Sequence, residues 1–246
     1  ERLRILSVPI MTMPQATTSL SRHAHLVQVR PAFMLSPRAQ LCDISVNMKA
    51  LLDAERIRDL ASAQRGVFSS SDLHVLLADP QPTGFLRRVR TLEQAGVIRR
   101  FTRGMYVRDG FDLPTLSQRL APDSYISFGN ALARHLVIGT LPERQILAAR
   151  PSTAHTYTGL GYEVVHVHIA PHLDFGHNVE QGVRWADAEK ATLDTLYFHL
   201  RGRRYPFDIY SDIDPARLDR ARLELYLERY RNPRFIAFAR GVLGLA

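Results

Sequence analysis

Between Met48 and Arg108 the apolar residues fall three times at helical spacing and then switch to a period of two, an order that few folds accommodate. Leu51, Leu52, Ile57 and Leu60 suit one face of a first helix ending near Gln64, before Gly66. Val67-Phe68 is a short extended piece. Ser69 followed by Asp72 resembles a capping box, with Asp in place of the usual Glu, and opens a second helix with Leu73, Leu76 and Leu77 inward. Asp79-Pro80-Gln81-Pro82 is a turn. Thr83 then caps a third helix reaching Ala95, with Phe85, Leu86, Val89 and Leu92 as its buried stripe and Gly96 as its stop. Val97–Phe101, Thr102-Arg103-Gly104 and Met105–Arg108 read as strand, tight turn and strand. Three short helices followed by a hairpin are the plan of a winged helix-turn-helix.

After Asp109-Gly110 the pattern becomes mixed. Leu113–Leu120 is a short helix, and Ser127 caps another reaching about Leu136. Gln145–Ala149, Tyr162–Ile169 and Val183–Trp185 read as strands, and Asp187 caps a strong helix over Ala188–Leu200. Two more helices begin with a cap and a proline, at Asp214-Pro215 and Asn232-Pro233. The expected fold class is α+β: a winged helix-turn-helix over residues 48–110, then a mixed α/β domain over 111–246. Residues 1–47, with Pro9, Pro14, Pro31 and Pro37 and no sustained period, form a poorly ordered N-terminal extension. It reads as upstream sequence ahead of a true start at Met48, although its Arg- and Ser-rich, acid-poor make-up also suits a transit peptide.

No run approaches the roughly 18 apolar residues of a membrane span. The single cysteine, Cys42, excludes an internal disulfide and a zinc site built on several thiolates. Both point to a soluble protein of a reducing cytoplasm. The chain carries a net charge of +8, and of its 32 basic residues only Lys49 and Lys190 are lysine. A GC-rich bacterial coding bias accounts for that preference but not for where the arginines sit.

Arg87, Arg88, Arg90, Arg99, Arg100, Arg103 and Arg108 lie on the third helix and hairpin, opposed there by Glu93 alone. A helix of this width fits the major groove, where Arg makes bidentate bonds to guanine. Arg87, Arg88 and Thr91 are the expected base readers; Arg99, Arg100 and Arg103 are the expected phosphate clamps, with Thr83 and Arg90 completing the DNA-binding set. The expected partner is double-stranded DNA. One such domain buries too little surface for tight specific binding, so a second copy on an inverted repeat, or cooperative neighbours, is implied.

His166, His168, His172 and His177, with Asp174, cluster within a dozen residues. Two imidazoles on one strand face could ligate zinc, but no further ligand pattern supports a site, and an exposed strand edge is the preferred reading. No Walker loop, nucleophile elbow or dinucleotide fingerprint is present, so no catalytic residue, metal or cofactor is expected. Lys190 and Asp194 lie four apart on one helix face. The pair is either a surface ion pair or a place where a compact ammonium is required.

The strings GVFSSSDL, RRVRTLEQAGVIRRFTRGMYV, YISFGNALARH and ADAEKATLDTLYF resemble the AbiEi family, the antitoxins of type IV toxin–antitoxin pairs of abortive-infection systems. The likeness runs from about Met48 to the C-terminus. Its more telling parts are Tyr125, Ser127, Ala131 and Leu132 on one helix and Glu189, Lys190, Ala191 and Asp194 on another. Ala188 stands where a proline often precedes the Glu-Lys pair, and the first 47 residues are extra. The resemblance implies a repressor of its own operon that binds inverted repeats in the promoter. It also implies a C-terminal domain that counters a nucleotidyltransferase toxin without necessarily forming a stable complex, with Glu189, Lys190 and Asp194 as its candidate residues. Arg217, Arg220, Arg222, Arg229, Arg231 and Arg234 are interleaved with acids and read as a solvated face. The alternatives are a winged-helix regulator whose C-terminal domain senses a small ligand, and a metal-dependent hydrolase using the histidines.

Overall fold

The computed structural model describes residues 37–78, 82–139 and 143–245, with the side chains of residues 37–47 and of Pro82 excepted. Residues 43–246 form one compact unit. Its first helix, α1 (Pro37–Ala61), begins eleven residues before Met48, so residues 37–47, assigned to a poorly ordered extension, are helical. The rest of that extension lies outside the described residues.

Strand β1 (Val67–Ser69) leads into α2 (Ser70–Leu77) through the expected capping box. The Ser69 amide donates to Asp72 Oδ2 at 2.7 Å, and the Asp72 amide donates to Ser69 Oγ at 3.1 Å. Helix α3 (Pro82–Gln94) precedes β2 (Arg99–Thr102) and β3 (Met105–Val107), which form a three-stranded antiparallel sheet in the order β1-β3-β2. Ile57, Phe68, Leu73, Leu77, Phe85, Val89, Leu92, Ile98 and Tyr106 make the core beneath these helices. Two parts of the expected stripes fail. Leu86 is 53% exposed, and of the expected α1 stripe Leu51, Leu52 and Leu60 are exposed while Ile57 is buried, with Leu51 61% exposed.

The second part is built on a six-stranded mixed sheet. Helix α4 (Leu113–Leu120) leads to β4 (Tyr125–Ile126) and α5 (Phe128–Arg134). Strands β5 (Gln145–Arg150), β6 (His155–Gly159), β7 (Tyr162–His168), β8 (His177–Glu180) and β9 (Val183–Ala186) follow, in the sheet order β6-β7-β5-β4-β9-β8. The β5–β7 and β4–β9 pairs are parallel and the others antiparallel. Helix α6 (Ala188–Leu200) is capped by Asp187 as expected. Asp214-Pro215 opens only a single 3-10 turn. The helix of that region is α7 (Arg220–Leu227), capped by Asp219, and α8 (Pro233–Leu243) starts at Asn232 as expected.

Register assigns the two faces of this sheet. Tyr125, Ala149 and Val167 share one row, and Ile126, Ala148 and His166 the next, so the rows face opposite sides. Tyr125 meets α6 through Asp194, whereas His166 meets α4 through Ser117. The sheet is therefore covered on both faces.

Several contacts among the described residues join the two parts. Arg119 Nη1 lies 2.6 Å from Asp72 Oδ2, and its Nη2 donates to Gln64 Oε1. The Asp112 amide donates to Arg65 O at 3.0 Å. Gly159 of β6 lies so close to β2 that a Cβ there would come within 2.6 Å of Phe101 O.

Candidate functional site

The outward face of α3 carries Thr83, Arg87, Arg90 and Gln94, spaced i, i+4, i+7 and i+11, and all four are exposed. Thr83 is the second residue of the helix and not its cap, because the helix already begins at Pro82. Arg87 and Arg90 form no ion pair among the described residues. On the hairpin, Arg103 is exposed at the turn; Arg100 is exposed and its Nε reaches Thr102 O at 3.4 Å. Arg99 is exposed but lies 2.5 Å from Asp109, a surface pair that solvent weakens.

Arg88 does not belong to this face. Its Nε donates to Asp53 Oδ2 at 2.8 Å, its Nη2 to Asp53 Oδ1, and its Nη1 to Leu77 O at 2.6 Å. Asp53 is only 2% exposed, so this bidentate pair ties α3 to α1 and to the end of α2. A guanidinium committed in this way is structural, and the expectation of Arg88 as a base reader is corrected. Thr91 is half-buried, and its hydroxyl donates to Arg87 O at 3.0 Å. The expected base readers Arg87, Arg88 and Thr91 therefore do not share one exposed face. The helix is instead rotated so that 83, 87, 90 and 94 face out, because Asp53 takes Arg88 inward.

The three candidates on α6 are buried. Lys190 and Asp194 have no exposed surface, and Glu189 has 4%. Lys190 Nζ lies 2.5 Å from Asp194 Oδ1 and 3.2 Å from Tyr230 Oη, and 4.6 Å above the Phe175 ring. Asp194 Oδ2 accepts from Tyr125 Oη at 3.0 Å and from Ser127 Oγ at 2.8 Å. Burial pushes the Lys190 ammonium down, with the Asp194 carboxylate opposing it, and burial beside that carboxylate pushes the Tyr125 and Tyr230 phenols up. Glu189 accepts from the Asp219 amide at 2.8 Å and pairs with Arg222 at 3.4 Å, holding α7. Asp187 caps α6 and accepts from Tyr226 Oη at 2.6 Å; burial nevertheless raises its carboxyl. Gly176 (φ +67°) passes so near that a Cβ would lie 2.9 Å from Lys190 Cβ. Of the two readings of Lys190, the surface pair is excluded. No partner surface can reach these three side chains, which lock α6 to β4, α7 and the segment before α8.

Tyr125 and Ser127 do not share a helix with Ala131 and Leu132 as the resemblance implied: Tyr125 lies on β4 and Ser127 precedes α5 in extended conformation, so the two face one way. The acceptor they share, Asp194, was not legible in the sequence. Tyr230, Phe175 and Asp53 carried no local signal at all.

The histidines do not converge. His166 is buried on β7, an inner strand and not the exposed edge expected, with Nε2 3.0 Å from Ser117 Oγ and Nδ1 without a partner among the described residues. Burial lowers its pKa to about 4. His168 Nδ1 donates to Ser152 O at 3.1 Å, and His177 lies 2.9 Å from Asp174. Among the described residues no three His, Cys, Asp or Glu side chains are placed to hold a metal ion. No helix among them is long and apolar enough to cross a membrane.

The fold has a counterpart of known structure. The crystal structure of the RV2827C protein from Mycobacterium tuberculosis superposes on 78% of this chain and 76% of its own, with a TM-score of 0.54 and 16% sequence identity. At that identity the likeness is one of fold. No family model and no curated protein sequence matches the chain.

Proposed function

We propose that residues 48–110 act as a winged helix-turn-helix that binds duplex DNA, with α3 in the major groove and the β2–β3 hairpin along the backbone. The observation that carries this reading is the exposed stripe of Thr83, Arg87, Arg90 and Gln94, whose two guanidiniums have no carboxylate partner among the described residues. Arg87 and Arg90 would read bases and Arg100 and Arg103 would clamp phosphates, with Arg99 joining them once Asp109 is displaced. The order α1-β1-α2-α3-β2-β3 supports the same plan.

The chain as a whole is read as an AbiEi-like repressor and antitoxin of the bacterial cytoplasm, working by binding and not by catalysis. It would occupy inverted repeats in its own promoter as cooperative copies and counter a nucleotidyltransferase toxin. Glu189, Lys190 and Asp194 serve that second role by holding the α/β part in shape.

Two measurements on the full chain test this reading. Arg87→Ala and Arg90→Ala each weaken binding to the promoter about tenfold, which corresponds to about 1.4 kcal/mol. Unchanged affinity in both removes the DNA reading. When the neighbouring nucleotidyltransferase frame is expressed, the DNA-deficient variant still restores growth; failure of the wild-type chain to do so removes the antitoxin reading.

A further inference from the structure

At the carboxyl end of the parallel pair β5–β7, where Arg150 and His168 stand in register, a groove of about 730 Å3 opens. Its lining includes His168, Ala170, Tyr197, Phe198, Arg201 and Arg203. Open sheets leave their ligand crevices at the carboxyl ends of parallel strands, and this volume lies in the range of small-ligand sites.

The chemistry of the groove is one-sided. Arg201 and Arg203 follow the last turn of α6, and neither forms an ion pair among the described residues. The next acid along the chain, Asp208, is engaged by the amides of Tyr210 at 2.7 Å and Ser211 at 3.1 Å. Arg201 is already positioned: its guanidinium stacks 5.1 Å over the Tyr197 ring and donates to Tyr197 Oη at 2.7 Å. His168 gives Nδ1 to the Ser152 carbonyl, which leaves Nε2 without a partner among the described residues. Planar guanidinium forks match phosphate oxygens, half-exposed aromatic rings stack on bases, and a free imidazole nitrogen suits a sugar hydroxyl or a base edge. Inorganic phosphate alone would fill a small part of this volume and use neither ring.

We infer that the groove binds a nucleoside phosphate unit, either as a free nucleotide or within a single-stranded nucleic acid. It is built from elements other than α3 and the hairpin, and it stands whether or not those elements bind duplex DNA.

The test uses the full chain and fluorescence anisotropy with a labelled single-stranded RNA 10-mer. AMP serves as competitor, and the promoter duplex is measured in parallel. Arg201→Ala/Arg203→Ala is expected to weaken the strand at least tenfold while duplex affinity changes less than twofold. Arg201→Lys/Arg203→Lys, which keeps the charge and loses the forks, weakens it at least threefold, with an unchanged thermal midpoint showing that the fold persists. Displacement of the strand by AMP assigns the groove to the single nucleotide; retention of the strand against AMP assigns it to the polymer. Wild-type strand binding in the alanine variant, equal loss of strand and duplex, or no binding of strand or AMP by the wild-type chain overturns the inference. Failure of the duplex reading shows separately, as an unchanged duplex affinity in Arg87→Ala.

Discussion

Ser127 occupies the N-cap position of α5 without capping it, because its hydroxyl is given to Asp194. That diversion marks the α6 ion pair as the node that surrounding residues are arranged to satisfy. Asp194 has four partners in reach, so its buried charge is compensated, and removal of either side leaves the other charge stranded. Lys190→Ala or Asp194→Ala is therefore expected to cost about 3–5 kcal/mol in urea unfolding, with any loss of biological activity following the fraction folded. A loss below about 1 kcal/mol would mean the pair is solvated. His166 makes a second residue-scale expectation. Its folded pKa of about 4 lies below the ordinary imidazole value of 6.5, so the unfolded chain takes up the proton first as pH falls. Stability from this group is present above about pH 6.5 and is lost progressively towards pH 4. Urea midpoints at pH 7.5 and 5.0 should converge in His166→Gln relative to the wild type; an unchanged difference would assign the pH dependence to other groups.

At the scale of elements, the capping box of α2 and the Asp187 cap of α6 were legible because their hydrogen bonds join residues three apart in sequence. The rotation of α3 was not. It depends on Asp53, thirty-five residues away, and apolar spacing alone leaves a helix free to turn by a position either way. The same holds for α1, where Leu51 and Leu52 match a helical stripe that the fold leaves exposed while burying Asp53 against Arg88. The two arginines at 87 and 88 should thus behave oppositely. Arg88→Ala is expected to lower stability by about 1.5–3 kcal/mol, the value of hydrogen bonds to a charged group, and Arg87→Ala to leave the melting midpoint unchanged. Equal midpoints in the two variants would contradict the assignment.

For the whole molecule, the helix-hairpin-then-mixed order was legible, but three strands were not. β4 has two residues, and β6 and β8 are polar and largely exposed, so none shows the alternation of a half-buried strand. Gly110 marks a change of pattern within one compact unit, because Arg119, Arg65 and Gly159 join the parts across it. Limited proteolysis of the native chain should therefore spare residues 108–112, and calorimetry should show one transition for residues 43–246; cleavage there with two separate transitions would contradict this. The proposed duplex contact is carried by the face formed by Arg87, Arg90 and the hairpin tip. Its most direct test is the salt dependence of promoter binding in the wild type and in Arg87→Ala/Arg103→Ala. Each lost phosphate contact removes about 0.9 from the slope of log affinity against log salt. A shallower slope in the variant is the expected result; parallel lines of equal affinity would place the DNA, if it binds at all, on another surface.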